Sequence, residues 1–329
     1  MLPTAPPATG VRAPWERLPA HVRGELEGAL GAPVVGAVTQ RGGFSPGVAA
    51  RVRLGDGRRA FVKAVSAEAN PGSPKLHRAE ARHSAVLPDH VPAPRLLASY
   101  DDGVWVALAF EEIEGRQPHV PWRADQFGLV LDAVTDLSYA LTPSPIEARS
   151  VVDTERESFR GWERLIEAEA EAEGEVGGGA DARLDPWVRR NLRALADLAA
   201  PWTEAAAGDT LAHADLRADN MLLTPEGRVV FVDWPHAVRA APWVDLLFML
   251  PCVRAQGGPD PEDVFTAHPL GRDADPGGVT AMLAAFASYL VRGSLKPDPP
   301  GLPTLRAFQA AQGAAAVAWL RKRLGPALP

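Results

Sequence analysis

Cysteine is almost missing from this sequence. Cys252 stands alone, so no disulfide can close within the chain and no cysteine-based zinc site can be built. A reducing compartment suits such a chain, and the cytoplasm is the expected location. No basic segment precedes an apolar run near Met1, and no stretch of about 18 uninterrupted apolar residues occurs, so neither a signal peptide nor a membrane span is expected. An excess of positive charge is missing too. With a formal charge of −7 and a pI near 5.7, the chain is a poor match for a nucleic-acid backbone and a better one for a neutral or cationic small molecule. No repeat of about 20–50 residues is visible, which disfavours solenoids and propellers.

What is present is the composition of an ordinary globular protein, 329 residues with 46% hydrophobic and 23% charged, enough for two lobes and a substantial core. The first fourteen residues are rich in proline and small side chains and read as a flexible tail. A helix over 20–30 is followed by valine-rich strands at 34–41, 48–54 and 59–65, the last two joined by a Gly-Asp-Gly turn. Ser73 and Pro74 predict the cap and first turn of a helix to Leu87, and two more strands follow at 96–100 and 104–110. After Phe110 the composition changes to EEIEGRQP. A lobe boundary is placed there, with residues 15–110 as a β-rich N-lobe, 111–117 as a hinge and 118–329 as a mainly helical C-lobe. Helical periodicity marks 126–142, 154–173, 185–200, 243–254, 279–292 and 303–323. The acidic run 167–175, fading into glycines, reads either as a solvated helix end with a flexible loop or as a lid attracting a cationic substrate.

One segment interrupts the helices: HADLRADNMLLTPEGRVVFVDW, residues 213–234. Its apolar runs MLL and VVFV flank Thr224-Pro225-Glu226-Gly227, a hairpin turn. A turn centred between Glu226 and Gly227 would set Asn220 opposite Asp233. Opposed side chains lie about 4.5–5.5 Å apart at Cβ, close enough to share a metal. An amide oxygen and a carboxylate are hard ligands suited to Mg²⁺, which completes its shell with waters and substrate phosphates. Asp215, five residues before Asn220, can be carried round to the same end and can accept a proton. A metal site of His213, Asp215 and His236 has no HExxH-like spacing in its favour.

This pattern resembles the catalytic segment of eukaryotic-type protein kinases and, more closely, that of aminoglycoside phosphotransferases and related small-molecule kinases. That family carries H-G-D-x-x-x-x-N and then an aspartate followed by an aromatic; here the segments are His213-Ala214-Asp215 to Asn220 and Asp233-Trp234, with alanine in place of the usual glycine. The resemblance implies a two-lobed, protein-kinase-like α+β fold. It implies Asp215 as the base, Asn220 and Asp233 as Mg²⁺ ligands, His213 as a brace for the loop and Asp245 as its structural support. Arg217 lies two residues past the base, where many protein kinases keep a lysine near the transferred phosphate; a surface salt bridge is the alternative. Asp219 reads as a solvated loop charge.

Such an enzyme also needs a nucleotide site, with ATP or GTP as donor. The glycine-rich turn RGGFSPG holds Gly42, Gly43, Phe44 and Ser45, where backbone N–H groups can approach phosphates. Lysine is scarce in this chain, and Lys63 sits inside an apolar strand, where a compact point charge is preferred to arginine. Leu76, Glu80, His83 and Leu87 fall on one helical face, which makes Glu80 the natural partner of Lys63. The resemblance adds a hinge in which the Glu111 carbonyl and the Ile113 N–H hold the purine edge and Phe110 limits pocket depth, with the 111 and 112 side chains solvated. The expected reaction is transfer of the nucleotide γ-phosphate to a hydroxyl of a small molecule. An antibiotic acceptor, as in aminoglycoside resistance or self-protection, is the first expectation, from the family and the acidic second lobe. Choline-, homoserine- or sugar-like metabolites are the alternatives, and a catalytically silent nucleotide-binding module is the rival from another class.

Overall fold

The computed structural model describes residues 2–173 and 183–325, so the expected acidic lid falls partly outside the described residues. The β-rich part begins with β1 (Arg12–Ala13), α1 (Ala20–Leu30), β2 (Val34–Thr39), β3 (Gly47–Leu54) and β4 (Arg59–Ser66). It continues with α2 (Ser73–Ser84), β5 (Leu96–Asp101) and β6 (Trp105–Glu111). Strands β3, β4, β6 and β5 run antiparallel in that order, with β2 antiparallel and β1 parallel to β3 along its other edge. One face packs on α1, whose Val22, Leu26 and Leu30 recur at four-residue spacing and are buried with Val52, Val62 and Ala109. Gly31, at φ 76°, ends that helix in the left-handed conformation that favours glycine.

The rest of the chain is mainly helical, built from α3 (Ala124–Ala140), α4 (Val151–Glu155), α5 (Gly161–Glu173), α6 (Pro186–Arg190), α7 (Leu192–Ala199) and α8 (Trp202–Ala205). Then come β7 (Thr210–Ala212), β8 (Met221–Leu223), β9 (Val229–Phe231) and β10 (Val238–Ala240). The chain ends in α9 (Val244–Ala255), α10 (Pro261–Ala267), α11 (Pro269–Arg272), α12 (Pro276–Ser294) and α13 (Leu305–Leu324). Two of the expected helices are each two: Arg156–Arg160 separates α4 from α5, and Asn191 separates α6 from α7. At Gly161 the backbone passes so close to α12 that a Cβ would lie 2.2 Å from the Ser288 carbonyl oxygen, which fixes where α5 begins. The core of this lobe joins α9 and α12 to β7–β10, with Trp162, Phe231 and Trp234 fully enclosed. No helix among the described residues is long and apolar enough to cross a membrane.

Two local expectations need correction. The N-terminal segment is not loose: β1 pairs with Gly47–Val48, Ala5 N–H donates to the Ala255 carbonyl at 2.9 Å, and Val11 N–H donates to the Gly301 carbonyl at 2.8 Å. Backbone pairing rather than side-chain periodicity holds it, so pattern reading finds nothing there. The cap of α2 is also misplaced. Asn70 Oδ1, not Ser73, accepts the N–H groups of Gly72 and Ser73, at 2.9 and 3.1 Å.

Candidate active site

The hairpin β8–β9 has a different register from the one expected. Met221 pairs with Phe231 and Leu223 with Val229. The cause is the turn: Pro225-Glu226-Gly227 forms a three-residue loop closed by Thr224 N–H to the Arg228 carbonyl, with Gly227 at φ 78°. Asn220 therefore faces Val232, whose N–H it accepts at 3.0 Å, and Asp233 lies one residue past the ladder. There the backbone turns left-handed, φ 71°, and Asp233 still lines the same cavity as Asn220.

Asp233 meets the β-rich lobe at Lys63. The Lys63 ammonium lies 2.7 Å from a carboxylate oxygen of Asp233 and 2.7 Å from one of Glu80. Lys63 comes from the middle of β4, paired with Ala49 and Leu108, and its ammonium stands 5.8 Å from the Phe110 ring centroid. Glu80 is only 3% exposed. Among its helix neighbours His77 is buried with it, whereas Leu76 is 38% exposed; all three border a second cavity. Burial works against the Lys63 charge, but the two carboxylates outweigh it and hold its pKa above the ordinary lysine value. Burial likewise opposes ionisation of Asp233, and Lys63, with Arg217 and His236, keeps it well below the usual carboxylate range. Burial raises the Glu80 pKa above the usual carboxylate value, against the pull of Lys63. His83 ties α2 to the same place, its Nδ1 donating to the Trp234 carbonyl at 2.8 Å.

Beneath the hairpin, Asp245 at the start of α9 organises the loop. Its carboxylate accepts the N–H groups of His213 and Ala214, each at 2.8 Å, and burial raises its pKa to about 6. His213 is completely enclosed against Trp234, ring centroids 4.6 Å apart. Its Nε2 donates to the Val232 carbonyl at 3.0 Å and its Nδ1 accepts the Asp215 N–H at 3.3 Å, a neutral ring whose pKa burial lowers to about 4. His213 is fully buried, borders neither the cavity that holds Lys63 and Asp233 nor the one beside Asp215, and is tied to the Asp215 backbone. Between them Ala214 adopts φ 62°, which costs a non-glycine residue about 1–2 kcal/mol. Ala214→Gly is expected to raise stability by about 0.5–1 kcal/mol after glycine's entropic cost; a lower melting temperature would count against the strain.

Asp215 is held from two sides. Asn220 Nδ2 donates to its carbonyl at 2.8 Å and to its Oδ2 at 3.0 Å, while Arg217 donates to its Oδ1. Burial raises its pKa, partly offset by Arg217. Neither surface expectation for Arg217 and Asp219 holds. Arg217 is mostly enclosed, its side chain 13% exposed, and pairs at 3.0 Å with Asp219, whose side chain is 9% exposed. The guanidinium carbon stands 5.3 Å from the ring centroid of Phe44 and 6.0 Å from that of Phe308.

Gly42, Gly43, Phe44 and Ser45 line one wall of a cavity of about 390 Å³. Phe110, Glu111 and Ile113 line the other, and Lys63, Glu80, Asn220 and Asp233 close its end. The segment expected as a hinge is anchored by Arg116, which exchanges two backbone hydrogen bonds with Leu223, at 3.0 and 2.7 Å. Glu112 is not solvated: its side chain is 6% exposed and pairs with Arg51 and Arg59. Arg12 is the residue that pattern reading missed. Its guanidinium reaches from β1 into this cavity and donates to the carbonyls of Gly42 and Ser45. Burial lowers its pKa against the pull of Asp233 and Asp219. A lone arginine in a proline-rich segment carries no signal of this. Because Arg12 braces the glycine turn, Arg12→Ala is expected to weaken nucleotide affinity about tenfold, the scale of one charge-assisted hydrogen bond; unchanged affinity by calorimetry would contradict that role.

Among the described residues no three histidine, cysteine or carboxylate side chains gather as a preformed metal site. Asn220 and Asp233 nevertheless suit Mg²⁺. The Asn220 amide nitrogen is committed to Asp215, which leaves its oxygen to coordinate, and Asp233 binds Lys63 through only one of its two oxygens. Two hard oxygen donors with waters and phosphates make an ordinary Mg²⁺ shell.

Residues 42–281 match the model of the Phosphotransferase enzyme family, APH. The chain belongs to this family. Its two-lobed α+β fold is shared with a thermostable mutant of aminoglycoside phosphotransferase APH(4)-Ia in ternary complex with ADP and hygromycin B. The two are 15% identical with a TM-score of 0.60, over 92% of this chain and 98% of that one. The choline kinase LicA from Streptococcus pneumoniae is 13% identical over 90% of this chain and 98% of its own, TM-score 0.57. The Plasmodium vivax ethanolamine kinase is 14% identical over 88% and 83%, TM-score 0.53. No curated protein matches. At such identities the structural likeness is one of fold.

Proposed function

We infer that this phosphotransferase moves the γ-phosphoryl group of ATP or GTP to a hydroxyl of a small molecule. The observation that carries the reading is Lys63 bonded at once to Glu80 and Asp233, with Asp215 and Asn220 joined beside them. Mg²⁺, held by Asn220 and Asp233, would neutralise charge on the phosphates. Lys63, kept in place by Glu80, faces the donor phosphates, and the glycine turn braced by Arg12 covers them. Glu111 and Ile113 offer backbone groups to the base. Asp215 takes the proton of the acceptor hydroxyl as its oxygen bonds to the γ-phosphorus. The bond from that phosphorus to the bridging oxygen breaks, and its electron pair leaves with the nucleoside diphosphate. Burial, which raises the proton affinity of Asp215, favours this role. Arg217, locked between Asp215 and Asp219, orients the base.

The acceptor side departs from the first expectation. Arg292, Lys296 and Arg306 join Arg217 around the second cavity, about 320 Å³, which also holds Asp215. An aminoglycoside is a polycation and choline a quaternary amine, and both meet repulsion there. A metabolite is therefore the reading we favour over an antibiotic. The test is a screen of the purified protein with Mg²⁺ and ATP or GTP against hydroxylated metabolites and antibiotics, read by mass. At least one metabolite should gain a phosphoryl group. Nucleotide binding with no acceptor modified anywhere in the screen would leave the silent nucleotide-binding module as the better account.

A further inference from the structure

The cations of the acceptor cavity lie together and lack acidic partners. Arg292 belongs to the last turn of α12, Lys296 follows that helix by two residues, and Arg306 is the second residue of α13. A cation in the last turn of a helix is ordinary, because it complements the negative end of the helix dipole. Arg306 is not placed that way. It occupies the first turn of a twenty-residue helix, the end at which backbone N–H groups favour an anion.

Among the described residues, neither the Arg292 nor the Lys296 side chain has a hydrogen-bond acceptor or a carboxylate within ion-pair distance. Arg306 is held by neutral oxygens, donating from Nε to the Pro297 carbonyl at 3.0 Å and from Nη1 to Gln309 Oε1 at 2.7 Å. Its backbone N–H reaches the exposed Asp298 carboxylate at 3.3 Å, and its Nη2 is left free. Partial burial, then Arg292 and Arg306, press the Lys296 pKa down, as expected of cations crowded without a counter-charge. The carboxylates that do line the cavity, Glu80, Asp215 and Asp233, are already paired with Lys63 or Arg217. Tyr289 joins the two regions, near enough to feel the charges of Asp215, Arg217 and Arg306 as well as that of Glu155.

We propose that Arg292, Lys296 and Arg306 form the binding subsite for an anionic group of the acceptor, so that the substrate is a hydroxyl compound bearing a carboxylate or phosphate. This deepens the phosphotransferase reading and rests on it for the identity of the reacting hydroxyl. Two guanidinium groups match the planar or tetrahedral oxygens of such an anion, and the ammonium supplies a third point of charge. The anion offsets a repulsion that the folded chain otherwise carries. It also orients the molecule, anchoring the acid at the helix ends while its hydroxyl faces Asp215.

The test reads binding apart from turnover. Full-length protein with Mg²⁺ and ADP is titrated with hydroxy acids and with sugar phosphates as two separate arms, each against the matching amide or unphosphorylated sugar, and with an aminoglycoside. Thermal stabilisation and calorimetry report affinity. At least one acidic compound is expected to bind ten- to a hundredfold more tightly than its uncharged match, and the arm it comes from identifies carboxylate or phosphate. Arg306→Gln and Arg292→Gln should each reduce that preference at least fivefold. ADP affinity measured on the same samples reports whether each variant is folded, and Lys296→Gln serves if an arginine variant fails to fold. Equal binding of acid and uncharged match, or tighter binding of the aminoglycoside, would overturn the proposal. Selective acid binding without phosphoryl transfer would sustain it and tell against the phosphotransferase reading alone.

Discussion

Asp215→Asn is expected to lower kcat by about 10²–10⁴-fold, the usual contribution of a positioned proton acceptor, with the affinity for nucleotide nearly unchanged. An amide in that place keeps the shape, and its oxygen can still accept from Asn220 Nδ2, but it has no basic electron pair for the hydroxyl proton. Arg217 retains Asp219, so the variant does not strand a buried cation. Single-turnover kinetics and calorimetry with MgADP separate the two quantities. A variant that turns over within threefold of the parent would remove Asp215 from the reaction.

Asp233→Asn is expected to act on metal and nucleotide together. Replacing a carboxylate ligand by an amide should reduce kcat/KM by about 10²–10³-fold, the scale of losing one electrostatic stabiliser in a catalytic site. The loss of nucleotide affinity should appear only when Mg²⁺ is present, because in the proposed complex Lys63 and the glycine turn would hold the phosphates without the metal. The fold should survive: Lys63 keeps Glu80, and asparagine tolerates the left-handed backbone at this position. Calorimetry with and without a chelator makes the comparison. Equal weakening in both conditions would assign Asp233 to holding Lys63 rather than Mg²⁺.

Much of this site was legible in the sequence, for specific physical reasons. Lys63 stands out as a charge inside an apolar strand, and spacing along α2 brings Glu80 inward, although the buried face runs through His77 rather than Leu76. The hairpin was legible as a hairpin, but its register was not. Pro225-Glu226-Gly227 takes a three-residue loop where a two-residue turn was assumed, and only the left-handed backbone at Asp233 restores the meeting with Lys63. Burial of single charges was the least legible property. Asp219, Glu112 and Arg217 look like surface residues in isolation and are enclosed because each finds its partner across a loop or strand. Arg12 acts on a turn about thirty residues further on, and the cations at 292–306, near one another in sequence, gain meaning only because the fold sets them beside Asp215; no periodicity announces either. The acidic net charge pointed toward a neutral or cationic acceptor, whereas the local charge of the cavity favours an anionic one. A whole-chain average says little about one pocket.

In the proposed reaction Asp215 accepts a proton and the phosphoryl group passes directly, in line, from bound donor to bound acceptor. The stereochemical course at phosphorus tests this most directly. With a donor whose γ-phosphate is made chiral by oxygen isotopes, the phosphorylated acceptor should show inversion of configuration. Retention, the mark of a phosphoryl group first captured by a side chain such as Asp215, would contradict it.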